Sequence, residues 1–195
     1  MLCMLCGLLL STTAFAHVES ATGGDGGFLS GLLHPVTGLD HIVAMVAVGL
    51  WGAILGMPAI WVLPVAFPLI MAFGAVLGII GVPLPGIEIG IALSGIVLGL
   101  LVMTRRRLPL PVAFVIVSLF ALYHGHPHGT ALPDFGVPIL FATGFVVATG
   151  LLHLAGIALG LLYRWPAGRR LIQGSGASIA LIGVYYLQLA LFMTS

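Results

Sequence analysis

The sequence predicts an all-α, polytopic membrane bundle, with six transmembrane helices behind a cleavable N-terminal leader. Of 195 residues, 61% are hydrophobic and only 6% are charged. A soluble domain carries about 25% charged residues, so this chain has too few to cover a water-facing surface. The apolar runs are also unbroken over about membrane length and do not alternate, which favours helices over a β-barrel. The 28 glycines and 12 prolines fit helical membrane bundles, which tolerate both.

Residues 1–16 read as a signal peptide and 17–195 as a single six-helix transmembrane domain. The leader is a short apolar run ending Ala14-Phe15-Ala16, a small-x-small cleavage pattern. It departs from the usual pattern because no Lys or Arg precedes His17. Either the leader is unusual or the true start lies upstream. Cys3 and Cys6 have Cys-x-x-Cys spacing, but within a leader they are removed with it, so they are not read as a redox or zinc motif.

After a Gly-rich stretch, apolar segments fall near 31–55, 59–81, 86–104, 108–124, 135–163 and 171–193. The breaks are Pro58, the Pro83-Leu84-Pro85-Gly86 turn, Arg105-Arg106-Arg107, the loop from Gly125 to Asp134, and the stretch from Arg164 to Arg170. All six arginines lie in two of these breaks. Two spans separate those breaks, so they share a side, and the positive-inside rule makes it cytoplasmic. Both termini of the mature chain then lie outside. There is no lysine and the net charge is +1, which excludes a nucleic-acid footprint. No Gly-x-x-x-x-Gly-Lys-Ser/Thr motif is present, so nucleotide binding is not expected.

This topology gathers His34, His41, His124, His126 and His128 toward the outer face, with His17 at the mature N-terminus and His153 alone at depth. Ionisable groups in a span are costly and mark functional sites. In the first span, Pro35 suits the first turn of a helix. His34 and His41 share a face of an unbroken helix but stand roughly 10 Å apart along it. That is too far for one ion with ligand bonds of about 2 Å. Either each works with other spans, or the helix opens at Thr37-Gly38, as broken helices do around ion sites. Met45 lies one turn after His41 and reads first as bundle packing. In Tyr123-His124-Gly125-His126-Pro127-His128-Gly129, histidines at every second position with Gly and Pro between them predict an outward loop. Imidazole suits nickel, zinc and copper. Glu88 opens the third span, where a carboxylate either favours the helix dipole or serves as a ligand. His153 lies one turn from Thr149 and reads either as a local hydrogen-bond partner or as a second station on the way in. Gly74-x-x-x-Gly78, Gly95-x-x-x-Gly99 and Gly156-x-x-x-Gly160 read as helix-packing motifs.

His34-Pro-x-x-Gly-x-Asp40-His41, followed by Met45 and Val48-Gly49-Leu50-Trp51, resembles the signature of the HupE/UreJ family. So does His124-Gly-His126-x-His128-Gly. The resemblance covers almost the whole chain, and the Asp-His pair also looks like that of the nickel/cobalt permease family. It implies a bacterial inner-membrane nickel permease, with cobalt as the second candidate ion. It further implies uptake from periplasm to cytoplasm alongside hydrogenase or urease systems, whose maturation proteins are candidate partners. The metal positions it carries over are His34, Asp40, His41, Glu88, His124 and His126; the residues themselves add His128, His153, Met45 and His17 as secondary candidates. No permanently bound cofactor is implied. Many relatives continue the second motif as His-Gly-x-Glu, whereas this chain reads His128-Gly129-Thr130-Ala131 with Asp134 three residues on. The expected sequence of events is capture at the outer histidines, partial dehydration, binding at Asp40/His41 and release past His153. Two other functions fit parts of the sequence. One is an intramembrane metal-dependent hydrolase, which lacks a His-Glu-x-x-His motif here. The other is a non-transporting membrane sensor or scaffold for metalloenzyme maturation.

Overall fold

A computed structural model describes residues 27–130 and 138–194. The leader, Cys3, Cys6, His17 and Asp134 lie outside the described residues. Within them all regular structure is helical: α1 (Phe28–Thr37), α2 (Leu39–Leu55), α3 (Ala59–Ile79), α4 (Ile87–Met103), α5 (Leu110–Thr130), α6 (Pro138–Leu161) and α7 (Pro166–Thr194), with a 3₁₀ turn at Leu162–Arg164. By length and apolarity, four helical stretches can cross a membrane: Ala59–Ile79, Leu110–Thr130, Ile139–Arg164 and Pro166–Phe192. The bent pair α1 and α2 makes a fifth. α4, with 17 residues, falls short of the length used for the others, so the expected count of six is met only in part. In these four windows 28–39% of residues are buried. The rest present side chains such as Leu69, Phe73, Leu151, Leu154 and Leu181 outward. An apolar exterior of this extent is a membrane-facing surface.

Glycine sets how closely the helices approach. α3 packs on α5, α4 on α7, and α6 on both α1 and α2. A Cβ on Gly125 or Gly129 of α5 would run into the carbonyls of Met71 or Ala75 on α3. Gly74 and Gly78 return the contact toward Leu122 and His126. Gly95 and Gly99 lie against Gly183 and Ala180, at 3.0 and 2.5 Å from where their Cβ would stand. Gly156 meets the backbone of Val46, and Gly160 the side chain of Ala53. All three small-x-x-x-small motifs therefore work as packing surfaces, and Gly125-x-x-x-Gly129 adds a fourth. The core between the pairs holds Met45, Trp51, Leu63, Phe67 and Leu98, all fully buried. For Met45 this is the bundle packing its spacing suggested.

The two arginine segments meet at one end, as expected. The guanidinium groups of Arg105, Arg107 and Arg169 lie 5.9, 5.8 and 5.3 Å from the centre of the Tyr163 ring, within cation–π range. Trp51 Nε1 donates to the Arg106 carbonyl at 2.9 Å. The described histidines lie at the other end, except His153.

The α3–α5 contact leaves no room for a side chain. Gly125→Val overpacks it and costs roughly 1–3 kcal/mol. The thermal unfolding midpoint of the detergent-solubilised protein should fall. An unchanged midpoint would mean the helices do not touch there.

Candidate metal centre

The first span is broken at Gly38. α1 and α2 meet at 84°, with Gly38 extended between them (φ −94°, ψ 114°). Pro35 does not start a helix as expected. It lies buried in the last turns of α1, which begins at Phe28, because the apolar run upstream of it already packs on α6. Thr37 Oγ1 donates to the His34 carbonyl at 2.8 Å, supplying one of the donors that the interrupted helix no longer offers. α2 restarts with Ile42 N–H donating to Gly38 O at 3.1 Å. The turn needs glycine for space rather than for φ. A Cβ at Gly38 would stand 2.8 Å from Asp40 Oδ1 and 3.1 Å from His41 Nδ1. Asp40 sits in the first turn of α2, where the helix dipole favours a carboxylate.

The histidine stretch expected as a loop is helical, and α5 runs on to Thr130. Gly125 and Gly129 are not breakers here. They are the face that lies against α3, and that packing holds the turn around Pro127. The helix sorts the three histidines. His124 and His128 are four apart and share a face, while His126 points away. His126 Nε2 donates to the Val82 carbonyl at 2.8 Å and ties down the start of the α3–α4 connection. It is not brought to the cluster. Glu88 is exposed in the first turn of α4 and also stays outside it, in the position of a helix-dipole carboxylate.

His34, Asp40, His41, His124 and His128 do converge. His41 Nδ1 lies 3.2 Å from Asp40 Oδ2, His41 Nε2 is 3.1 Å from His128 Nε2, and His34 Nε2 is 3.2 Å from His128 Nδ1. The His34 and His41 rings, seven residues apart, have centres 6.4 Å apart. The His41 and His124 rings are 5.1 Å apart. A neutral imidazole carries one N–H, which gives this chain one direction. His41 Nδ1–H donates to Asp40, so its Nε2 accepts from His128 Nε2–H, and His128 Nδ1 accepts from His34 Nε2–H. Phe141 and Phe145 wall the outer side, with ring centres 5.6 and 5.9 Å from His34.

One potential ligand atom each from Asp40, His41 and His124 lie within 4.8 Å of one another. Ligands about 2.1 Å from a common ion stand at most about 4.2 Å apart, so small side-chain shifts would close a coordination shell there. The donors are imidazole nitrogen and carboxylate oxygen, a set suited to a divalent transition ion.

Ser94, which the sequence reading missed, completes the site. Its hydroxyl donates to the Ile91 carbonyl at 2.6 Å. Its oxygen is therefore the acceptor for His124 Nε2–H at 2.8 Å. This fixes the tautomer of His124 and leaves Nδ1 bare, buried and without a hydrogen-bond partner. Partners of this kind orient metal-binding imidazoles. A serine in an apolar span was the only signal available for it. Ser94→Ala should weaken divalent-metal affinity about tenfold by calorimetric titration, with Ser94→Thr restoring it. Unchanged affinity in Ser94→Ala would remove Ser94 from the site.

The HupE / UreJ protein family model matches residues 4–186. Over 179 residues the chain is 45% identical to Protein HupE of Rhizobium leguminosarum bv. viciae, covering 92% of each chain. No solved structure matches. With the family model spanning nearly the whole sequence and the two motifs folded into one cluster, the chain belongs to the HupE/UreJ family, an accessory permease family of transporter type and not of enzymes.

Proposed function

We infer that the protein is a nickel permease, with cobalt as the second candidate ion, moving the divalent cation from periplasm to cytoplasm to supply hydrogenase or urease maturation. The observation that carries this reading is the convergence of four imidazoles and one carboxylate, from α1, α2 and α5, at a broken helix. Broken helices with ligands at the break are how transporters build ion sites at membrane depth. The metal set we assign is Asp40, His41 and His124, with His34 and His128 as the outer ligands that receive the ion. Glu88 and His126 are left outside this set.

Six crossings and periplasmic termini in the bacterial inner membrane belong to this reading. α4 starts beside the end of α3 and finishes at the arginine segment. At about 1.5 Å per residue its 17 residues reach roughly 26 Å, close to the ~30 Å apolar thickness of a bilayer. With the arginine end cytoplasmic, the histidine end faces the periplasm. An inside-negative potential then favours inward movement of a dication by roughly 4.6 kcal/mol per 100 mV, which supplies a driving force without a nucleotide.

Nickel uptake into proteoliposomes containing this chain alone is the direct test. Asp40→Asn combined with His41→Ala should reduce uptake to the level of empty liposomes. Wild-type rates in that variant would sink the site, and no uptake by the intact protein would sink the permease. Two histidines of the second motif should also separate. His128→Ala should lower nickel affinity about tenfold or more, whereas His126→Ala should keep the affinity and lower the melting temperature. The reverse order would overturn the assignment.

A further inference from the structure

Two buried histidines repeat one arrangement. His124 gives Nε2–H to Ser94 and leaves Nδ1 without a partner. His153, on α6, gives Nδ1–H to the Thr149 carbonyl at 2.8 Å and leaves Nε2 without one. The Thr149 hydroxyl, one turn away on the same helix face, is likewise buried and unpartnered. His153 is 2% exposed and Thr149 is fully buried. Buried polar atoms without hydrogen bonds destabilise a fold and are rare in native ones. Here two such atoms belong to residues one turn apart on a single buried helix face.

Phe67 of α3 connects the two histidines. Its fully buried ring has its centre 5.8 Å from that of His124 and 5.6 Å from that of His153. His153 lies deeper than the outer centre. Its carbonyl faces Gly49 of α2 so closely that a Cβ there would collide with it. Gly49 is about 12 Å along α2 from His41, toward the arginine end.

We propose that His153 Nε2 and Thr149 Oγ1 form a second divalent-metal station, and that the Phe67 ring is the partition an ion passes between it and the Asp40–His41–His124 centre. The proposal rests on the permease reading and deepens it. The two carboxylates of the described residues are Asp40, in the outer centre, and Glu88, exposed on α4. The inner station therefore offers one neutral nitrogen and one hydroxyl, with water completing the shell. It holds the ion more weakly than the outer centre does. Conduction needs successive sites that release what they bind, and the aromatic ring between them offers no lone pair on which the ion could rest.

The test is a nickel titration of the full-length chain in detergent, paired with proteoliposome uptake. The wild type should bind a second nickel ion more weakly than the first. His153→Gln should lose that second event, keep the first, and take up nickel about tenfold more slowly. The retained first event reports that the variant is folded. Thr149→Val, which keeps the shape and the backbone carbonyl, should weaken the second event alone and decides the matter if His153→Gln does not fold. Phe67→Leu should keep both events and speed uptake. A second event and wild-type uptake that survive both His153→Gln and Thr149→Val would overturn the station. Uptake unchanged in Phe67→Leu would overturn the partition. Should the wild type move no nickel, the permease reading falls, while the titration still decides whether the second station exists.

Discussion

Residues seven apart on a continuous α-helix cannot reach one ion, because about 10 Å of axial rise separates them. The break at Gly38 removes that limit, and the rest of the site depends on it. Turning α2 through 84° from α1 brings the His34 ring within 6.4 Å of His41. It also frees the start of a helix for Asp40. The bend is held from outside itself. α1 and α2 both lie on α6, through glycine contacts at Gly31 with Phe141, Gly144 with Phe28, and Gly49 with His153. The polar backbone exposed at the break is covered locally by Thr37 and by the restart at Ile42. A larger residue at 38 would press on the very pair, Asp40 and His41, that the break presents.

The second half of the site depends on close helix packing. α5 brings His124 and His128 to the centre only because it continues as a helix through a segment rich in Gly and Pro. In water that composition signals a turn. Here Gly125 and Gly129 are where α3 touches α5, so the same residues that suggest a loop hold the helix against its neighbour. The four-residue spacing of His124 and His128 was the signal that a helix would have brought them together, with His126 on the opposite side.

Much of this was legible in the sequence. The apolar composition, the arginine-rich end, the Asp40–His41 pair, the role of Gly38 and three glycine packing motifs all rest on local chemistry, and the structure carries them. What was not legible is what depends on partners distant in the chain. Ser94 matters because it meets His124 thirty residues away. Phe67 matters because its ring lies beside two rings from other helices. The single carbonyl of Val82 takes His126 out of the cluster. Glu88 was readable in two ways, and exposure on α4 agrees with the dipole reading.

The fold thus joins one charge and three imidazoles into a hydrogen-bonded chain inside an apolar bundle, and sets a fourth imidazole, His124, beside it with its tautomer fixed by a serine. On the proposed function, a nickel ion binds where the broken helix meets α5, with imidazole and carboxylate as its ligands. X-ray absorption spectroscopy of the nickel-loaded protein measures that coordination directly. A nickel ion held at this site should show scattering from at least two imidazole rings, falling when His41 or His124 is replaced by alanine. A shell of oxygen ligands alone, or one unaffected by either replacement, would contradict it.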